Sequence, residues 1–224
     1  MAIQQAKKLG HPFSMVFALN HHAWLYQFYG ETGLVDKFAT ELLTVSQEYG
    51  FPFWEISGLF FKGWVLSQTK KVKSGISQMQ KSITAFQATG AGSILPYFMT
   101  ALAQVYVENK QPKKALQWLK DAEARVQKNG EHFFDAEIYR VKGEALFADD
   151  QKNKKRAESQ LWRAFETARR QKLKILELRA LLNLIKTGAR KNETKQLLHE
   201  ACSWFDQDSD LPELKQAYNY LGKE

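Results

Sequence analysis

The side chains best suited to catalysis or metal binding are few in this sequence and form no recognised motif. Among five histidines only His21 and His22 are adjacent, and on a helix adjacent side chains point about 100° apart, which suits one shared metal ion poorly. Cys202 is the only cysteine, so an internal disulfide and a multi-cysteine zinc site are excluded. Gly-x-x-x-x-Gly-Lys, Gly-x-Ser-x-Gly and His-Glu-x-x-His are absent. We therefore expect no enzyme activity, no metal, no cofactor and no small-molecule substrate for this chain.

Positive charge is concentrated in one stretch of the chain. The net charge is +8, but residues 151–195 contain 14 Lys and Arg against 4 Asp and Glu, so this stretch carries +10. Such a stretch attracts phosphate groups or an acidic protein. Binding of single-stranded nucleic acid also needs exposed aromatic side chains among the cations, which the pattern lacks, so nucleic acid is the less favoured partner. The candidate basic residues are Lys152, Lys154, Lys155, Arg156, Arg169, Arg170, Lys172 and Lys174.

These side chains lie in a chain that is organised by a sequence repeat with a period of about 40 residues. It is marked by glycines at Gly10, Gly50, Gly90 and Gly130, and the residue 13 positions later is always small, at Ala23, Gly63, Ala103 and Gly143. Apolar residues between the glycines recur at spacings of three and four, which predicts helices with one buried face. The glycine suits a left-handed helix end, and the small residue lets two helices approach closely.

The repeat predicts the fold class. We expect an all-α protein, a right-handed superhelical solenoid of antiparallel helix pairs that forms a single domain over residues 1–224. The predicted repeats are 10–49, 50–89, 90–129, 130–171 and 172–206, followed by a C-terminal helix at 211–222. Residues 1–9 look like the end of the second helix of a preceding pair. The first helix of each pair is expected to line the concave side.

A partner-binding groove is the sharpest functional hypothesis from the sequence. Trp24 and Trp64 occupy the same position in consecutive repeats, and the alternative is that they pack between neighbouring helices. Only Arg140 is basic among the groove positions, which disfavours a site for a terminal carboxylate and favours an apolar segment or a helix. The predicted groove residues are Asn20, Trp24, Phe60, Trp64, Tyr97, Gln104, Arg140 and Glu144.

The helix pairs resemble the tetratricopeptide repeat (TPR), with a longer period. A closer resemblance, carried by Gly10-His-Pro-Phe-Ser, Gly63-Trp64-Val-Leu66 and the ending Asp210-Leu-Pro-Glu-Leu214, is to the C-terminal repeats of bacterial adenylate/guanylate cyclase–AAA ATPase–TPR signalling proteins. The resemblance implies a non-catalytic interaction or sensory module that binds a protein, a peptide or another domain of a larger parent. The alternatives are a nucleic-acid-associated module and a structural spacer for upstream catalytic domains.

The same sequence predicts a cytoplasmic location. Its first residues lack the apolar segment of a signal peptide, and no apolar run reaches the roughly 18 residues of a spanning helix. We therefore expect no membrane partner.

Overall fold

The computed structural model describes residues 2–90, 92–206 and 209–222, except for the side chains of Ala2 and Lys7. In this part of the chain the regular structure is helical throughout, without a β-strand, which confirms the all-α prediction. The α-helices are α1 Ala2–Leu9, α2 Pro12–Phe28, α3 Thr32–Glu48, α4 Pro52–Ser67, α5 Val72–Ala88, α6 Leu95–Glu108, α7 Pro112–Asn129, α8 Asp135–Asp149, α9 Lys154–Gln171, α10 Lys174–Thr187, α11 Lys191–Cys202 and α12 Pro212–Leu221.

Glycine and proline set the helix ends, as the repeat predicts. The four repeat glycines all have a positive φ, between 59° and 75°, in the region that side chains with a Cβ rarely adopt. At Gly130 the backbone N–H caps α7 by donating to the carbonyl oxygen of Val126 at 2.8 Å. Four helices begin at a proline, whose missing N–H costs nothing in the first turn, namely Pro12, Pro52, Pro112 and Pro212.

The chain packs as two compact units, Met1–Phe98 and Met99–Glu224, which are called unit 1 and unit 2. In unit 1 each helix packs on the next, from α1 to α5, and α2 also contacts α4. A Cβ on Gly63 would lie 2.9 Å from the backbone N of Met79, and one on Gly75 would lie 2.6 Å from the carbonyl oxygen of Gly63. These two glycines therefore let α4 and α5 approach closely.

Unit 2 repeats this packing of successive helices. Helices α7, α8, α9, α10 and α11 pack in order, and α10 also contacts α8 and α12. A Cβ on Gly143 would lie 2.6 Å from Leu161 Cγ and 3.0 Å from the carbonyl oxygen of Ala157. The small residue at this repeat position thus serves the predicted purpose in both units.

None of the described helices is both long enough and apolar enough to cross a membrane.

Candidate functional site

Most of the predicted groove residues of unit 1 are buried. Asn20, Phe60, Trp64 and Tyr97 all lie in the packed interior of the unit. Ser57 Oγ donates to Asn20 Oδ1 at 2.5 Å, and this buried hydrogen bond joins α2 to α4. The ring of Phe60 stacks on that of Phe98 with centroids 3.8 Å apart. The alternative raised by the sequence, packing between neighbouring helices, describes the environment of these four side chains.

Trp24 differs from these four because its side chain is only half-buried. Its ring lies 4.9 Å from the ring of Tyr97, and the Tyr97 hydroxyl donates to Gln27 Oε1. The aromatic pair therefore holds the Trp24 ring against Tyr97 while part of the indole still faces solvent.

An exposed aromatic surface runs along α2. We call Phe13, Phe17, His21 and Trp24 the α2 aromatic face. Phe13 is 50% exposed and Phe17 is 49% exposed, although both rings contact Trp54, at 5.9 Å and 6.0 Å. The rings of Phe17 and His21 are 4.2 Å apart, and those of His21 and Trp24 are 5.9 Å apart. The spacing of four, four and three residues aligns all four side chains on one side of the helix.

The α2 aromatic face borders a cleft between α1 and α2 with a volume of about 480 Å³. Among the side chains that the structure describes, its lining contains no Lys, Arg, Asp or Glu. Leu9, at its rim, is among the most exposed apolar side chains of the chain. Each histidine in the cleft donates from Nδ1 to a carbonyl oxygen of its own helix, His21 to Phe17 and His22 to Ala18, both at 2.8 Å. The lining residues are Gln5, Ala6, Leu9, Phe13, Ser14, Phe17, Ala18, His21 and His22.

The predicted groove residues of unit 2 form an ion-pair network centred on the buried side chain of Arg140. Its guanidinium donates to both carboxylate oxygens of Glu137 at 2.8 Å, to Glu144 Oε2 at 2.9 Å and to Gln104 Oε1 at 2.8 Å. The fork geometry of arginine suits such bidentate contacts. The one basic group of the predicted groove is therefore already occupied by two carboxylates of the chain itself.

This network continues onto neighbouring helices of unit 2. Asn183 Nδ2 donates to Glu144 Oε2 at 3.4 Å, and Gln104 Nε2 donates to Glu108 Oε1 at 3.1 Å. Burial raises the pKa of Glu137, but the charge and hydrogen bonds of Arg140 and the charge of Arg179 together outweigh it, so the pKa is lowered. Burial lowers the pKa of Arg140, but Glu137 and Glu144 more than offset this, so the pKa is raised. Both groups of the central pair are therefore charged at neutral pH.

The predicted basic residues form two separate clusters. Lys152, Lys154, Lys155 and Arg156 lie before and within the first turn of α9, whereas Arg169, Arg170, Lys172 and Lys174 lie around its end. The two ends of α9 are about 25 Å apart at 1.5 Å per residue. Carboxylates partly neutralise the second cluster, since Lys174 lies 2.9 Å from Glu177 and Arg169 lies 3.7 Å from Glu200.

A depression of about 490 Å³ lies between these clusters, along α9 and the turn before α11. The half-buried Trp162 lies in it, and the guanidinium of Arg190 is 5.0 Å from the centre of its ring. The sequence pattern indicated no exposed aromatic side chain among the cations, and Trp162 is half-buried rather than fully exposed. The lining residues are Lys155, Glu158, Ser159, Trp162, Arg163, Glu166, Ala189 and Arg190.

The sequence reasoning named only part of the sites that stand out in the structure, namely Trp24 and Lys155. Phe13, Trp54 and Trp162 were not among the predicted site residues, and the unusual phenylalanine at position 17, where Ser57 and Tyr97 stand in the next repeats, was the available signal for the first site.

Cys202 is buried, and in the part of the chain that the structure describes no three His, Cys, Asp or Glu side chains converge as ligands for a metal ion. No known family model matches this sequence, and no curated protein matches it.

Proposed function

We propose that this chain is a non-catalytic protein-interaction module that binds a helix of its partner along the α2 aromatic face. The observation that carries the proposal is the half-exposed pair Phe13 and Phe17 beside a cleft whose described lining residues carry no carboxylate, Lys or Arg. The resemblance to TPR regions of bacterial cyclase–ATPase signalling proteins supports the same class of function. It also supports a cytoplasmic location and a partner helix supplied by another protein or by another domain of a parent protein.

A comparison of equivalent repeat positions indicates that the α2 aromatic face would receive a helix. Phe17, Ser57 and Tyr97 occupy equivalent positions in three consecutive repeats, yet Phe17 is 49% exposed while Ser57 is 1% exposed and Tyr97 is 4% exposed. The preceding first helix covers the latter two. Ser57 donates to Asn20 of α2, and the ring of Tyr97 lies 6.5 Å from that of Phe60 of α4.

The same register extends to α2 itself. Asn20 and Phe60 are also equivalent to each other, so the position of Phe17 regularly contacts this position of the first helix before it. The side of α2 that carries Phe17 is therefore equivalent to the side of α4 that carries Ser57, on which α2 packs. A helix lying alongside α2 would continue this row of helices.

The lining of the cleft defines the chemistry of the partner helix. Burying an unpaired charge against this surface would be strongly unfavourable, since the described lining of the cleft offers no Lys, Arg, Asp or Glu. The contacting face of the partner is therefore apolar and uncharged, with side chains spaced three and four residues apart. Covering the exposed halves of Phe13 and Phe17 contributes about 4–5 kcal/mol at about 25 cal/mol per Å².

A peptide of residues 11–29 is a suitable probe, because in the folded chain this segment forms α2 and packs through its own aromatic side chains on α4. The peptide, labelled with fluorescein, is titrated with the full chain while its anisotropy is recorded. Isolated helices of this length are marginal in water, so the circular dichroism of the peptide should become helical on binding. We expect saturable binding at micromolar concentrations of the chain.

The matched control comes from unit 2. The double variant Phe13→Ser, Phe17→Ser should weaken peptide binding at least about tenfold, which corresponds to about 1.4 kcal/mol. Phe133→Ser should leave it unchanged, because Phe133 is 63% exposed and is the counterpart of Phe13 three repeats later. Absence of binding, or equal weakening by both variants, would contradict the proposal.

A further inference from the structure

The depression on α9 has a composition that the proposed protein-binding function does not use. Lys155, Ser159, Trp162 and Arg163 lie on one face of α9 at spacings of four, three and one residues. The turn between α10 and α11 supplies Arg190 on the other side. A volume of about 490 Å³ is within the range of small-ligand pockets. The depression thus combines an aromatic ring with cations from two chain segments.

Arg190 is held in an unusual backbone conformation. Its φ is +39°, in the left-handed region, where a residue with a Cβ is strained by about 1–3 kcal/mol. This conformation begins α11 and directs the guanidinium over the ring of Trp162. Residues in this conformation occur at helix ends, as at Lys172, and also at ligand-binding sites.

The cations of the depression have little internal neutralisation. Among the described residues Lys155 and Arg163 have no carboxylate within ion-pair distance, and Arg163 instead stacks on Tyr139 at 3.9 Å. Arg190 has a contact of 3.4 Å with Glu193. Glu158 and Glu166 also line the depression, and Glu158 lies 4.0 Å from Lys154.

Cations also continue beyond the depression along the same helix. Lys154 and Arg156 lie toward the start of α9 and Arg170 toward its end, so a chain of phosphates would meet further positive charge in both directions.

We propose that this depression binds single-stranded nucleic acid, with one base on Trp162 and the adjoining phosphates on Lys155, Arg163 and Arg190. A base can stack on the indole once the Arg190 guanidinium turns from the ring toward a phosphate. An acidic protein would use the cations but not the ring, which favours nucleic acid between the two macromolecules. The proposal is independent of the α2 aromatic face.

The test uses fluorescence anisotropy of a short fluorescein-labelled oligo(dT) with the full chain. Reversing three cations, Lys155→Glu with Arg163→Glu and Arg190→Glu, should abolish binding. The matched control, Lys113→Glu with Lys120→Glu and Lys128→Glu on α7, changes exposed lysines by the same total charge and should retain binding within about threefold. Affinity should also fall steeply as salt is raised from about 50 to about 200 mM.

The contribution of the ring separates nucleic acid from other anions. Trp162→Leu should weaken oligonucleotide binding about tenfold, while Trp162→Phe, which keeps an aromatic face, should retain most of it. Because Lys155 is exposed, the single variant Lys155→Gln leaves the fold intact and should alone weaken binding severalfold.

Two competitors define the results that would overturn the proposal. If polyglutamate competes as well as unlabelled oligo(dT), and Trp162→Leu leaves oligonucleotide binding unchanged, the depression is a site for acidic proteins. A mononucleotide that competes as well as the oligonucleotide would make it a site for free nucleotides. Equal loss of binding in the α7 control would show that only overall charge matters.

Discussion

The two units fill equivalent repeat positions with opposite chemistry. In unit 1 the positions 7, 10 and 14 residues after the repeat glycine hold Phe17, Asn20 and Trp24. In unit 2 the same positions hold Glu137, Arg140 and Glu144, three charged side chains in one network. Equivalent positions of the first helix can therefore hold either neutral and aromatic side chains or an ion-pair network that makes hydrogen bonds to Gln104 and Asn183.

The difference decides which unit keeps exposed apolar surface at these repeat positions. Apolar rings at the edge of unit 1 keep free area, because Phe13 and Phe17 are only half-covered. In unit 2 the charges of Glu137, Arg140 and Glu144 satisfy one another, and a buried ion network is stable only while every member keeps its partners.

The largest effect should follow from removing Arg140. Arg140→Leu leaves the buried carboxylate of Glu137 without its bidentate partner, so the free energy of unfolding should fall by about 3–5 kcal/mol. Chemical denaturation followed by circular dichroism measures the loss. Adding Glu137→Leu and Glu144→Leu should recover most of it. An unchanged free energy of unfolding in Arg140→Leu would show that the network does not stabilise unit 2.

Acid should weaken unit 2 selectively. Because the pKa of Glu137 is lowered in the folded chain, its stabilisation is present above the unfolded pKa of about 4.3 and is lost as the pH falls through the folded value. Amide hydrogen exchange between pH 7 and pH 3 should show α8 opening before α4. Glu137→Gln should flatten this pH dependence, and equal acid sensitivity of α8 and α4 would contradict the account.

The close approach of paired helices should make both units equally sensitive to one methyl group. Gly63→Ala and Gly143→Ala each place a Cβ within 3.0 Å of a neighbouring helix, so each should cost about 1–3 kcal/mol of stability. Gly33→Ala is the control, since a Cβ there meets nothing within 4 Å, and it should be neutral or stabilising by up to about 1 kcal/mol. Thermal melting compares the three variants, and an unaffected Gly143→Ala would refute the close approach.

The smallest effect is expected at the turn between paired helices. Gly30 and Lys110 lie at equivalent positions, two repeats apart, and both have a positive φ, of 77° and 56°. Lys110→Gly should therefore raise stability by about 0.5 kcal/mol, whereas Gly30→Lys should lower it by about 1 kcal/mol. Melting temperatures that move in the same direction would contradict this assignment.

Positions that need a left-handed backbone or a small side chain could be predicted from the sequence, whereas the exposure of larger side chains could not. Gly10 and Gly143 could be interpreted from the sequence alone. A left-handed turn favours glycine, as at Gly10, and a close helix contact requires a small residue, as at Gly143. Phe17 and Ser57 share one repeat position, and only the helix that does or does not cover them decides their exposure. Trp162 meets Arg190 through a turn 28 residues later, which no local pattern indicates.

The most direct test of the central claim is amide hydrogen exchange of the full chain with and without the peptide of residues 11–29. The account predicts that the peptide slows exchange in α1 and α2 and leaves α8 to α12 unchanged. Protection centred on unit 2, or no protection in α1 and α2 at saturating peptide, would contradict the claim that the α2 aromatic face is the partner-binding surface.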